Sequence, residues 1–199
     1  MDCFSQIGQD KIVLKYLKNK QNGFFVDIGC GYPKNINNTY LLESKYNWNG
    51  ISIDLNDCKE DNGEGWESIR KTKRILSDAL TINYSDLFKN NNLPYNVDYL
   101  SLDLEPPELT LECLYKIPFD EYNFNVISFE IDTGREGDYY RISKSREFLQ
   151  SKGYTLIGSL CGGQDDIYLH NSISHLKNEF KFEDPSIEWT TWPQSTLYK

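Results

Sequence analysis

No apolar run in this chain of 199 residues approaches the length of a membrane span, which excludes a transmembrane helix as an organising element. Met1-Asp2-Cys3 brings neither a basic n-region nor an apolar h-region, so the opening does not read as a secretory signal. The five cysteines form no C-x-x-C pair and are odd in number. Reduced thiols in an intracellular compartment explain them more simply than a disulfide framework. Positive charge is scarce as well: 21 Lys and Arg stand against 30 Asp and Glu, a formal net charge of −9, and the basic residues are scattered. A protein that neutralises nucleic-acid phosphates carries a basic patch. A nucleic-acid partner is therefore disfavoured, and a neutral or weakly charged substrate is expected. Repeats, linkers and low-complexity segments are missing too. What remains is one cytoplasmic domain over 1–199, whose 39% hydrophobic residues suffice for a real core.

Apolar runs alternate with helical or polar segments almost to the end. Strands are expected at Phe24–Ile28, Gly50–Ile53, Arg74–Ser77, Val97–Leu102, Asn125–Ile131, Thr155–Leu160 and Ile167–Leu169. Helical patterns fall at Ile7–Leu17, Asn38–Tyr46, Ser85–Asn90, Leu109–Tyr115 and Tyr139–Ser151. The strands are short and nearly continuously apolar, as in a sheet covered on both faces. Their alternation with helices predicts an open, mainly parallel α/β sheet with right-handed crossovers. Leu160-Cys-Gly-Gly-Gln164 is too short for a helical crossover, so the last two strands should form an antiparallel hairpin. Residues 1–20 form a lid helix over the sheet in this reading, residues 171–199 a C-terminal extension, and Asp57–Glu67 a solvated loop.

The most telling stretch is Gly23-Phe-Phe-Val-Asp-Ile-Gly-Cys-Gly31, a buried strand running into a glycine turn where backbone can approach a ligand closely. Asp27 precedes the turn, and Gly29 and Gly31 make it. A second strand ends in Asp54, the position at which an acid meets an adenosine ribose. The dinucleotide fingerprint needs a third glycine, and that position is Lys34. This weakens a nicotinamide oxidoreductase reading. A parallel sheet that finishes in an antiparallel hairpin is the arrangement of the class I, Rossmann-like methyltransferases, which points to S-adenosylmethionine. Asp54 would accept both ribose hydroxyls, with a helix cap as its bland alternative. Asp78, followed by Ala79 after the third strand, would meet the adenine amine. Asn38-Thr39 opens a helix whose first amides would hold the methionine carboxylate.

The residues then resemble a known family, the FkbM-type S-adenosylmethionine-dependent methyltransferases. The matching pieces are Ser5-Gln-Ile-Gly-Gln-Asp10, Phe25-Val-Asp-Ile-Gly29, Asn37-Asn-Thr-Tyr-Leu-Leu-Glu43 and Trp48-Asn-Gly50. Asp98-Tyr-Leu-Ser-Leu-Asp-Leu-Glu105, Ile117-Pro-Phe-Asp120, Ile127-Ser-Phe-Glu130 and Asp165-Asp-Ile-Tyr168 follow in order. The resemblance implies a seven-stranded, mainly parallel class I sheet with a C-terminal antiparallel hairpin and helices on both faces. It also implies O-methylation of a sugar or polyketide hydroxyl, with rhamnose or fucose in a glycan as the acceptor considered, and Gln9 and Leu55 among the cofactor contacts. Three departures stand out: Asp54-Leu55 replaces Glu-Pro, Pro106-Pro107 replaces a glycine region before Glu108, and Glu130-Ile131-Asp132 replaces Glu-His-Asn.

Methyl transfer from a sulfonium is an in-line displacement in which the enzyme aligns the reactants, and an alcohol must also lose its proton. Asp103 and Glu105 end the fourth expected strand, and Glu130 and Asp132 end the fifth; strand alternation places each pair on one face. Three readings remain open. One carboxylate is a general base; or Asp103, Glu130 and Asp132 hold Mg²⁺ or Mn²⁺, which acidifies a coordinated hydroxyl; or Arg135, Arg141 or Lys144 neutralises them. His170 is expected to be a surface or core histidine ahead of a second base, and Trp189 and Trp192 to anchor the tail ahead of stacking on a sugar. A different class of function, a non-catalytic cofactor-binding partner module, is disfavoured by the acidic pairs.

Overall fold

All seven expected strands form in the computed structural model, which describes residues 3–132, 138–161 and 163–178. They are β1 (Phe24–Ile28), β2 (Asn49–Asp54), β3 (Lys73–Leu76), β4 (Asn96–Leu102), β5 (Asn123–Glu130), β6 (Tyr154–Leu160) and β7 (Asp165–His170). The sheet order is β3-β2-β1-β4-β5-β7-β6. The first five strands pair in parallel, and β7 lies antiparallel between β5 and β6. The hairpin follows from the loop Cys161–Gln164, which has room for a turn and none for a helix.

Helices cover both faces: α1 (Gln9–Tyr16), α2 (Tyr40–Tyr46), α3 (Trp66–Ile69), α4 (Tyr84–Asn90), α5 (Glu108–Leu114) and α6 (Asp138–Ser151). Two apolar clusters result, one for each side of the sheet. On one side Val26, Ile28, Leu100 and Ile127 meet Phe88 of α4, Leu114 of α5 and Leu149 of α6. On the other, Phe25, Tyr99, Val126 and Leu169 meet Ile12 and Val13 of α1 and Leu41 and Leu42 of α2. The helix α1 packs on this side as part of the core layer. Strands buried on both faces need apolar residues at successive positions, which is why they read as unbroken runs.

The acidic run at 57–67 is largely exposed, as expected, but Glu60 and Trp66 are buried. Glu60 is buried, and its carboxylate accepts from the backbone N–H of Lys34 (2.8 Å) and of Asn35 (3.0 Å). Trp66 is 1% exposed, begins α3 and lies beneath the Arg70 guanidinium at 4.4 Å. Arg70 in turn forms a buried ion pair with Glu43 of α2 and donates to Thr39 Oγ1 (3.0 Å). This segment is a clasp that fixes the loop after β1.

Candidate active site

Strand parity builds the site one column at a time. Along β1 the residues on the α1/α2 side are Phe25, then Asp27, then Gly29 just past the strand; along β4 they are Tyr99, Ser101 and Asp103. Along β5 they are Val126, Ser128 and Glu130. Because β7 runs the other way, Asp165 at its start is the register partner of Glu130. Each column passes from apolar core through a polar step to a residue at the cleft. Neighbouring strands are about 4.8 Å apart, so Asp103, Glu130 and Asp165 stand side by side.

Their electrostatics follow from that crowding. Burial pushes Glu130 up to about 9, reinforced by the negative charge of Asp103. Burial followed by Asp103 raises Asp165 to about 8. Asp103 rises less, to about 6, through burial and then Asp27, because hydrogen bonds to Glu130 and Asn38 favour its carboxylate. The three carboxyls thus titrate together, and burial and mutual repulsion hold protons on the row above the usual carboxylate range. Thr110 Oγ1 donates to Glu130 at 3.4 Å. Arg141 reaches the backbone carbonyls of Glu130 (3.3 Å) and Ile131. Lys144 pairs with Glu147 on its own helix. Arg135 lies outside the described residues.

A cavity of about 450 Å³ opens beside this row. Asp103, Glu105, Glu130, Asp132 and Asp165 line one end, and Gly29, Gly31, Asp54 and Leu55 the other. Gly29 has φ +82, and a Cβ there would sit 1.7 Å from the Asp103 carbonyl oxygen. Its N–H donates to Ile53 O (2.8 Å), so bare backbone threads between the ends of β2 and β4. Gly31, at φ +59, would direct a Cβ into open space. Its N–H donates to Asp54 Oδ2 (2.8 Å), while Oδ1 takes Asn56 N–H (2.8 Å). A carboxylate has about four acceptor sites, so Asp54 retains capacity for a diol.

Other expected contacts serve the site from behind. Gln9 is 1% exposed; Oε1 accepts Ile7 N–H (3.1 Å), which fixes the amide so that Nε2 donates to Asp165 (3.1 Å). The Asn38 side chain reaches Ser101 (2.9 Å) and Asp103. Thr39 donates to the fully buried Asp27 (2.8 Å), which burial raises to about 6. Asp78 is exposed and accepts Leu80 N–H (2.8 Å), while Ala79 is buried in the core; the structure does not bring either to the cavity.

β4 ends at Leu102, so Glu105 reaches the cavity from an exposed bend before Pro106 rather than from the strand. Asp132 sits beyond β5 with φ 35, its N–H donating to Gln164 O (2.9 Å). Among the described residues no three His, Cys, Asp or Glu are arranged to hold a metal ion. The expected Mg²⁺ or Mn²⁺ set of Asp103, Glu130 and Asp132 is not supported. Asp103 and Glu130 hydrogen-bond to each other, which needs a proton where a divalent ion would sit. His170 lies at the end of the antiparallel β7, away from the cleft, against Tyr154 and Ser172. Sequence reasoning expected the reversal of β7 yet assigned no role to Asp165, the residue that this strand delivers to the cavity. Trp189 and Trp192 lie outside the described residues.

No protein-family profile matches the chain, and no curated protein matches it in sequence. Among solved structures, a proposed rRNA-methylase from Clostridium thermocellum aligns at 17% identity over 84% of this chain and 97% of its own, with a TM-score of 0.50. A proposed ribosomal RNA methyltransferase from Plasmodium falciparum aligns at 14% identity over 82% of this chain and 96% of its own, TM-score 0.49. A human methyltransferase 10 domain containing protein aligns at 8% identity over 86% and 84%, TM-score 0.49. Topology and the first of these likenesses agree: the chain has the class I methyltransferase fold. Among the described residues no helix is long and apolar enough to cross a membrane.

Proposed function

We propose that this chain is an S-adenosylmethionine-dependent O-methyltransferase acting on a hydroxyl of a carbohydrate, a deoxyhexose such as rhamnose or fucose being the acceptor class to try first. The observation that carries the reading is the single cavity running from the glycine turn and Asp54 to the Asp103–Glu130–Asp165 row. Its residues fit the cofactor. Gly31 leaves backbone bare on the cavity side, Asp54 has acceptor capacity for the ribose diol, and about 450 Å³ is in the range of small-molecule sites.

When bound, the cofactor supplies an electrophilic methyl group on a sulfonium. Asp103 takes the proton of the acceptor hydroxyl at its carboxylate as the oxygen attacks. Glu130 holds Asp103 by a hydrogen bond and Asp165 crowds it from the neighbouring strand; Gln9 and Asn38 hold the row from behind. Positioning and proton removal are the two contributions asked of the protein, the second typically about 10²–10⁴-fold in rate. The FkbM resemblance and the net charge of −9 support an uncharged acceptor. RNA, which the names of two structural neighbours bring to mind, would require a local basic patch.

The test is transfer of radiolabelled methyl from S-adenosylmethionine to p-nitrophenyl rhamnoside and fucoside, with a ribosomal RNA transcript alongside. Label in a glycoside supports the proposal. Label in RNA alone would replace the acceptor class and keep the cofactor.

A further inference from the structure

The cavity offers few large apolar side chains for a flat nucleobase, and two of them, Ile36 and Leu55, are 48% and 70% exposed. We propose that Ile36, together with Leu55, forms the apolar slot that takes the adenine ring of the cofactor, and that its backbone is held in a strained conformation for this purpose. The inference rests on the cofactor reading above. It assigns a residue to which neither the motifs nor the resemblance gave a role.

Leu55 follows Asp54 directly, so a nucleoside whose ribose is held by Asp54 would begin its base there. A purine has two apolar faces and needs cover on both. The end of β3 does not supply the second cover, because Asp78 is exposed in its own turn and neither it nor Ala79 lines the cavity. Leu104, the other large aliphatic on the wall, packs against the glycine turn, its Cδ2 3.3 Å from where a Cβ on Gly29 would lie, and is not exposed. Ile36 and Leu55 are the exposed large aliphatics on the wall.

Its backbone is the second observation. Ile36 has φ 53, a region that β-branched residues avoid. Such strain persists only where the surroundings over-determine it. Asn37 does so: wholly buried, it donates from Nδ2 to the carbonyls of Cys30 and Tyr32 (both 2.9 Å). Its Oδ1 accepts from Thr39 N–H (2.9 Å) and Tyr40 N–H (2.7 Å), and its own N–H donates to Phe4 O (2.9 Å). Packing does not require isoleucine at 36, since it belongs to neither apolar cluster. Glycine or asparagine would suit the backbone better. Isoleucine here costs stability and gives the cavity an apolar wall.

The experiment measures two quantities on wild type, Ile36→Asn and Ile36→Gly: apo Tm, and calorimetric Kd for S-adenosylhomocysteine. The expected result is a Kd weakened by about tenfold or more, from lost apolar contact, with Tm unchanged or raised. Opposite signs in the two readouts separate a binding wall from a structural residue, whose loss would lower Tm. Binding by the variants within about twofold of wild type overturns the proposal, as does a fall in Tm in both variants. Should Ile36→Asn not fold, Ile36→Gly carries both readouts, and failure of both to fold also overturns it. A wild type that does not bind S-adenosylhomocysteine fails the cofactor reading itself, a result seen before any variant is compared.

Discussion

Gly29→Ala and Gly31→Ala make an instructive pair, because both glycines sit at positive φ in one turn and differ in what surrounds them. At either site alanine must adopt a left-handed backbone, at a cost of about 1–2 kcal/mol. At Gly31 the new methyl meets nothing within 4 Å. At Gly29 it would lie 1.7 Å from the main-chain carbonyl oxygen of Asp103, a residue whose backbone N–H donates to Ile28 O at 3.0 Å. Relief there means moving the end of β4 away from β1, and forced overpacking adds about 1–3 kcal/mol. We expect Gly29→Ala to lose about 3 kcal/mol, or about 6–12 °C of Tm in a domain of this size, and Gly31→Ala clearly less. Because the Asp103 carbonyl is the clashing atom, Gly29→Ala should also disturb the carboxyl row. Urea unfolding followed by circular dichroism gives the stabilities. If Gly29→Ala is as stable as Gly31→Ala, backbone threading between β2 and β4 does not hold.

Three further outcomes are expected. Glu130→Gln and Asp165→Asn should raise stability at pH 8–9, on the order of 1–2 kcal/mol, and flatten its pH dependence. The native pKa values of about 9 and about 8 lie above the unfolded ones, so the folded state holds the extra protons. Stability is therefore fully present below the unfolded pKa and is lost as pH rises through 8–9; denaturation midpoints that fall with pH as steeply in the variants as in wild type would contradict this. Asp103→Asn should lower methyl transfer to the responsive glycoside by about 10²-fold or more with S-adenosylhomocysteine affinity little changed. The wild-type rate should rise as pH passes through about 6, where Asp103 ionises; a flat profile there would remove it as the base. Glu43→Ala, which leaves the buried Arg70 guanidinium without its ion-pair partner, should cost about 3–5 kcal/mol in chemical denaturation.

Strands and hairpin were legible because a sheet covered on both faces demands continuous apolar runs, and because a loop as short as Cys161–Gln164 leaves only one connection. Gly29, Gly31, Asp54 and Leu55 were legible for a similar reason: a strand, a glycine turn and an acid at the next strand end come together wherever adjacent parallel strands stop. What stayed hidden depended on direction or on burial against expectation. Asp165 was within reach of the sequence, since the hairpin itself reverses β7 and brings its first residue to the cleft and His170 to the far side. Glu60 and Trp66 were hidden by an acidic surrounding that reads as solvated; a tryptophan in that run, four residues before an arginine, was the available sign of a clasp. Gln9 and Asn38, expected as ligand contacts, have side chains that hydrogen-bond to the carboxyl row. A sequence does not tell whether a polar group faces the cavity or the wall behind it.

The most direct test of the account is calorimetric titration of the wild-type chain and of Asp54→Ala with S-adenosylhomocysteine, with NAD as control. Micromolar binding of S-adenosylhomocysteine to wild type, weakened in Asp54→Ala, and no heat from NAD are the predicted results. Binding of NAD without S-adenosylhomocysteine would contradict the account at its centre.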